Sequence, residues 1–147
     1  MNFDVIVIGG GHAGAEAAHV ADYTLTDPVL GATIEAAGQR NFTNFARSLP
    51  RWRATAYADW SFGPWSARAN LRHVSAYDDD ENAGAEIDAW TALDLQARWE
   101  RDELAVTLGA LNATDEAAPA VNTPLGYDTK VHDARGRVLY ARVSVKR

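Results

Sequence analysis

Arg51-Trp-Arg-Ala-Thr-Ala-Tyr-Ala-Asp-Trp60-Ser-Phe-Gly-Pro-Trp65-Ser-Ala-Arg-Ala-Asn-Leu71-Arg72 is the stretch that decides the fold class. Read in steps of two, Trp52, Ala54, Ala56, Ala58 and Trp60 fall on one side. Arg51, Arg53, Thr55, Tyr57 and Asp59 fall on the other. That period belongs to a pleated strand, not to a helix. Ser61-Phe62-Gly63-Pro64 interrupts it with turn residues. The return run then places Trp65, Ala67, Ala69 and Leu71 opposite Ser66, Arg68, Asn70 and Arg72. Two alternating runs across a short turn predict a tight antiparallel hairpin over Trp60–Trp65.

The same grammar continues outward. After an acidic loop, Tyr77–Glu86, the residues Ile87, Ala89, Thr91, Leu93, Leu95, Ala97 and Trp99 alternate with Asp88, Trp90, Ala92, Asp94, Gln96, Arg98 and Glu100. Glu100–Glu103 is a short polar turn, and Leu104, Val106, Leu108 and Ala110 begin another strand, which predicts a second hairpin over Trp99–Leu104. A long connection, Asn112–Gly136, leads to Arg137–Lys146, where Leu139, Ala141, Val143 and Val145 share a face. The expectation is an all-β chain, an antiparallel β-meander of five strands, or six if Thr33–Phe45 contributes.

Composition bounds what such a sheet can be. The chain has 147 residues, with 47% apolar and 23% charged, enough for one domain and too ordered in pattern for a disordered tail. Lys+Arg 14 against Asp+Glu 20 gives a net charge of −6, which argues against a module that neutralises nucleic-acid phosphates. No apolar run approaches the roughly 18 residues of a membrane helix, but a membrane β-strand needs only about 9–11, half of them polar. Absence of cysteine excludes disulfides, thiolate zinc sites and cysteine nucleophiles. The start is not basic and Val5–Ile8 is too short for a secretory signal.

The apolar face is unusual for a soluble core. A soluble β-sandwich, the alternative architecture, fills its interior with large aliphatic side chains, whereas an alanine ladder between tryptophans buries little area. Trp60, Trp65 and Trp99 all lie beside the short turns, where a membrane interface favours amphipathic rings. In a membrane wall, Ala56 and Leu93 face hydrocarbon near the bilayer middle. Arg53, Arg68, Asp94 and Arg98 then face a wet lumen. Connections alternating short, long, short, longer match a barrel with tight periplasmic turns and extended outer loops.

The N-terminal part reads differently. The organisation expected is a glycine-rich appendage over residues 1–20, foreign to the rest, a weakly patterned connection over 21–47, and the barrel segment over 48–147. Asp4–Ile8 reads as a strand before Gly9-x-Gly11-x-x-Gly14, followed by the alanine-rich Ala13–Ala21. This predicts a strand–turn–helix that does not extend the meander. The pattern is the dinucleotide fingerprint: Gly9 for the tight turn, Gly11 for close approach to a pyrophosphate, Gly14 for helix–strand packing. Glu35, 21 residues beyond Gly14, stands at the distance of a ribose-binding acid.

Other constellations carry no chemistry. His12, His19, His73 and His132 lack metal-ligand spacing, so no metal residues are expected. Asp78–Glu81 lacks the glycine and spaced ligands of a calcium loop and reads as a solvated loop. Ser48, Ser61, Ser66, Ser75 and Ser144 sit in no nucleophile elbow, and no catalytic set is expected.

Several of these segments resemble known families. From about Gly38 to Arg147 the chain resembles the C-terminal end of a TonB-dependent outer-membrane receptor barrel. The residues carrying this are Gly38, Asn41 and Asn44, then Leu49-Pro50-Arg51-Trp52-Arg53, Trp60–Trp65 and Ile87–Leu95. Leu111-Asn112-Ala113-Thr114-Asp115, Pro124–Asp128 and Asp133–Arg137 follow in the family's order. The resemblance implies a partial outer-membrane barrel, a fragment of a receptor that takes up a scarce nutrient such as a metal chelate, cobalamin or saccharide. It implies no enzyme activity and no cofactor. The implied partners are outer-membrane lipid and the remainder of a receptor barrel, with TonB engaged only through an N-terminal region outside this chain, and no nucleic acid. Two departures accompany it: Lys146-Arg147 stands where the family ends on an aromatic residue, and five or six strands do not close a barrel, so the segment is not expected to transport alone.

The first 18 residues are similar to the opening of the flavin-dependent tRNA-uridine modification enzyme of the glucose-inhibited division A type. That alternative implies FAD bound at Gly9, Gly11 and Gly14. The two expectations separate on flavin binding.

Overall fold

The alternating segments become strands in the computed structural model, which describes residues 2–9 and 13–146. In chain order these are β1 (Asn2–Gly9), β2 (Ala13–Asp22), β3 (Thr24–Thr26), β4 (Thr33–Glu35), β5 (Trp52–Phe62) and β6 (Trp65–Val74). They continue with β7 (Tyr77–Asp78), β8 (Glu86–Ile87), β9 (Trp90–Arg101), β10 (Leu104–Leu111) and β11 (Val138–Val145). The main sheet has seven strands in the order β1-β2-β5-β6-β9-β10-β11, every pair antiparallel, while β3–β4 and β7–β8 are two-stranded ladders inside loops. Each neighbour in the sheet is the next long strand in the chain, so the expected all-β meander is present and the sheet does not close on itself.

Both predicted hairpins form with two-residue turns, Gly63-Pro64 after Phe62 and Asp102-Glu103 after Arg101. Gly63 and Asp102 take positive φ at the first turn position (56° and 52°), which lets two-residue loops follow the strand twist. The connections over 23–51, 75–89 and 112–137 all leave from the opposite end. Register is set by the period-two pattern: Leu71 faces Leu93, Trp65 faces Trp99, and Ala58, Ala56 and Ala54 face Ala13, Ala15 and Ala17.

Three expectations are corrected. Ala13–Ala21 is a strand and not a helix, and it extends the meander by pairing with β5. Alanine favours helix by only a few tenths of a kcal/mol per residue. Here Ala13, Ala15, Ala17 and His19 complete the ladder of Ala58, Ala56, Ala54 and Trp52, and that pairing outweighs the propensity. The boundary expected at residue 20 therefore falls inside β2. Second, the sixth strand does not come from Thr33–Phe45, of which only Thr33–Glu35 is extended, in the β3–β4 ladder outside the main sheet. Third, the strand expected from Ile87 starts at Trp90. Ile87 leaves the sheet face for β8, where it is 2% exposed.

That last departure marks the core. Val74, Tyr77, Ile87, Trp90, Ala92 and Val121 form one buried cluster, with Val131 packed against it. Val74, Trp90 and Ala92 come from the strand ends that meet the long connections, so the core lies under the loops and not on the alanine face. Among the described residues no second sheet covers that face: Trp60, Leu108 and Leu139 stay more than half exposed on it. A soluble sandwich would have buried them.

Candidate functional site

The polar face of the sheet is built from charge pairs in register. Asp94 accepts from Arg72 (Nε and Nη2, both 3.1 Å), from Asn70 Nδ2 (3.2 Å) and from the Asn112 backbone N–H (2.9 Å). Arg68 forks onto Asp59, with Nη2 to Oδ2 at 2.7 Å, and its guanidinium carbon lies 5.7 Å from the Tyr57 ring centre. Glu100 receives both Arg98 (2.8 Å) and Lys146, and the Tyr140 hydroxyl donates to Gln96 at 3.0 Å. Arginine forks suit such cross-strand carboxylates because two parallel N–H bonds fix the geometry.

Above this wall the three long connections fold into one layer. Gln39 bridges Leu49 on its own loop and Asp78 on the next. Arg40, 5% exposed, donates Nη1 to Asp79 at 2.9 Å and to Glu81 at 3.1 Å. Burial alone would raise the Asp79 carboxyl, but hydrogen bonds from Asn82, the Glu81 backbone and Arg40 outweigh it and hold the group below its ordinary value. Asp80 accepts the Phe42 and Thr43 N–H groups and the Thr43 hydroxyl. Asn41, 1% exposed and at φ 55°, donates Nδ2 to the carbonyls of Ala36, Gln39 and Arg47, so one side chain satisfies the inside of its loop. The third connection joins through Tyr77, whose hydroxyl donates to Asp128 at 3.0 Å, and through His132, which stacks on Tyr77 and meets Trp90 edge-on.

Open recesses remain where the layer meets the wall. One of about 290 Å³ lies between Arg40, Phe42 and Ser48 on one side and the 123–130 segment on the other. Its neighbour, of about 510 Å³, is lined by Arg47, Ser48, Leu49, Arg53 and Lys130. A one-sided stack of loops over a charge-paired sheet, with an uncovered alanine and aromatic face behind it, is the anatomy of a barrel wall.

The profile of the family described as TonB dependent receptor-like, beta-barrel matches residues 11–113. The chain belongs to this family. The matched span holds more than two thirds of the chain and runs from β2 to the end of β10. It begins well before Gly38, where the resemblance was expected to start, in keeping with the pairing of β2 onto β5. TonB-dependent receptor barrels are outer-membrane transport receptors, not enzymes, and carry no cofactor. No curated protein and no solved structure matches the chain.

Within a receptor wall the glycine fingerprint has a different meaning. Gly9 pairs with Gly14 across the β1–β2 hairpin, and Gly11 lies outside the described residues. Gly14 sits directly opposite Tyr57, and the segment after it is a strand, so the helix N-terminus on which the dinucleotide fingerprint depends does not form there. Glu35 is occupied locally, accepting from the N–H groups of Tyr23 (3.1 Å) and Ala37 (2.9 Å), which hold its carboxyl below the ordinary value.

The remaining candidates are dispersed. His12 falls outside the described residues, His19 stacks on Trp52, His73 meets Thr91 Oγ1 at 2.8 Å, and His132 is buried. Among the described residues no three His, Asp or Glu side chains are grouped to hold a metal ion. The acidic loop is not simply solvated: Asp79 and Asp80 are clamps to the neighbouring loop. Arg53, Arg68, Asp94 and Arg98 do share the polar face, as expected. What sequence reasoning missed was the Arg40–Asp79 pair and the Asn41 hub, partners that no local period connects. The one signal available was family resemblance, which had marked Gly38, Asn41 and Asn44 without a role.

Proposed function

We propose that this chain is part of the wall and outer loop layer of a receptor that takes up a scarce nutrient, such as a metal chelate, cobalamin or saccharide, across the outer membrane. The observation that carries it is the end-to-end asymmetry: both described tight turns at one end, all three long connections at the other, folded inward over the charge-paired face. The loop end faces the outer medium and meets the nutrient. The turn end faces the periplasm. The alanine face, flanked by Trp60, Phe62, Trp65 and Trp99, meets lipid, where rings settle at headgroup depth. Seven strands with two unpaired edges are fewer than the roughly eight that the smallest barrels use, so further strands complete the wall and this sheet alone does not transport. TonB would be engaged through a plug domain, as in the receptors of this family. Depth-dependent quenching by brominated lipids of the chain refolded in bilayers tests the reading. In variants that retain only Trp60 or only Trp99, each ring should be quenched best by bromines near the interface. Absence of quenching at both positions would make the apolar face a water-soluble surface.

A further inference from the structure

We infer that the recess between Arg47, Arg53 and Lys130 binds a small soluble anion that carries at least two carboxylate or phosphate groups. The inference rests on the receptor reading for the side from which the anion arrives. The charge accounting carries it. Elsewhere on the polar face and loop layer most of the described cations are matched: Arg40 with Asp79 and Glu81, Arg72 with Asp94, Arg98 and Lys146 with Glu100. Arg47, Arg53 and Lys130 have no carboxylate within ion-pair distance among the described residues, and all three line one cavity of about 510 Å³. Arg51 and Arg142 are the other described cations without such a partner, and neither lines the recess. An acidic chain, at −6, has thus left three positive charges together and unmatched.

The three come from separate elements, so they converge through the fold. Arg53 projects from β5 on the polar face, its Nη2 3.5 Å from the Ser48 carbonyl. Arg47 follows the loop that Asn41 secures through the Arg47 carbonyl. Lys130 belongs to the third connection, where its N–H donates to Asp128 at 3.0 Å. The Asp128 carboxylate is itself occupied by Tyr77 and lines the adjoining recess, not this one. The charge of Arg53 is felt by its surroundings: after burial, it is the second influence that lowers the His132 imidazole. Two guanidinium groups around a concave space can grip oxyanions bidentately, and an ammonium beside them adds a point charge. The recess opens on the polar face, away from the alanine face, so lipid phosphate is the wrong source.

The test uses the full chain refolded in bilayers, with citrate and pyrophosphate as free anions and, separately, vesicles holding a phosphomonoester lipid. Titration should show saturable binding of at least one free anion, weakening as salt rises. Arg47→Gln, Arg53→Gln and Lys130→Gln should each weaken it about tenfold, while Arg142→Gln leaves it unchanged. Hydrogen exchange at the His132 amide reports that the loop layer stays folded in each variant. No binding to the folded chain, undiminished binding in the triple variant, or binding only to the lipid phosphate would each overturn the proposal. Tryptophan quenching in the same samples is independent: anion binding lost with quenching retained overturns the recess and leaves the receptor reading standing.

Discussion

The Tyr57 ring occupies the space that a side chain at Gly14 would need. A Cβ built on Gly14 would stand 2.6 Å from the ring's Cε1, Cζ and Oη, and Gly109 and Tyr140 repeat the arrangement between β10 and β11 with an approach of 2.2 Å. Each glycine is a cross-strand seat for an aromatic ring.

Gly14→Ala should therefore destabilise the folded chain by about 1–3 kcal/mol, the range for forced overpacking. In a Tyr57→Ala background the same substitution should cost much less. Gly109→Ala should be the worse of the two single changes, because the Tyr140 hydroxyl is held by Gln96 while Tyr57 is exposed enough to tilt away. Urea unfolding in detergent micelles measures all three, and equal costs in both backgrounds would break the pairing argument.

Arg40 and Asp79 form an ion pair with both side chains at most 5% exposed. Removing one partner leaves a buried charge uncompensated, so Arg40→Ala should cost the loop layer about 3–5 kcal/mol. Arg40→Met with Asp79→Leu, which removes both charges, should recover much of it. Hydrogen exchange at the Arg40 and Asp78 backbone amides, which the loop-to-loop ladder protects, reads the effect.

Acid should loosen the third connection before it touches the first two. Burial holds the His132 imidazole below its ordinary value of 6.5, with Arg53 adding to that and Asp128 opposing it; Tyr77 and Trp90 are its remaining neighbours. Among the described residues neither ring nitrogen has a hydrogen-bond partner. The opened loop thus binds the proton more readily, and the clasp is complete above about pH 6.5 and weakens as pH falls through the window below it. Asp79 and Asp80 are held below 3.8, so their contribution is lost only at pH lower than that. The protection of the His132 amide, whose N–H donates to the Asp128 carbonyl, should fall between about pH 7 and pH 5 once the intrinsic pH dependence of amide exchange is divided out. His132→Phe should flatten that dependence.

A charge on the alanine face should be expensive in a bilayer. Ala56→Arg places a guanidinium near the middle of the β2-β5-β6 ladder and should cost about 2–4 kcal/mol of folding into bilayers. Thr55→Arg, one residue away on the polar face, should cost far less. Equal penalties would mean that both faces meet the same solvent.

The sheet was legible because one face demanded apolar residues at every second position, and that demand is written locally in Trp52–Trp60 and Leu93–Trp99. Strand β2 was not, because Ala13–Ala21 satisfies helix propensity as well as a small-residue ladder, and only the facing alanines of β5 decide between them. The loop layer was illegible for a different reason. Arg40 meets Asp79, and Tyr77 meets Asp128, across sequence separations that no periodicity spans. Ile87 misled because alternation continued past the point where the chain leaves the sheet.

Since each strand of the sheet lies beside its successor in the chain, the wall can be assembled as local hairpins, with β5–β6 and β9–β10 closing over two residues each before any distant contact is needed. Growth obeys a parity. A hairpin added at either edge would widen the wall and leave the chain emerging at the same end, whereas a single added strand would bring it out at the opposite end.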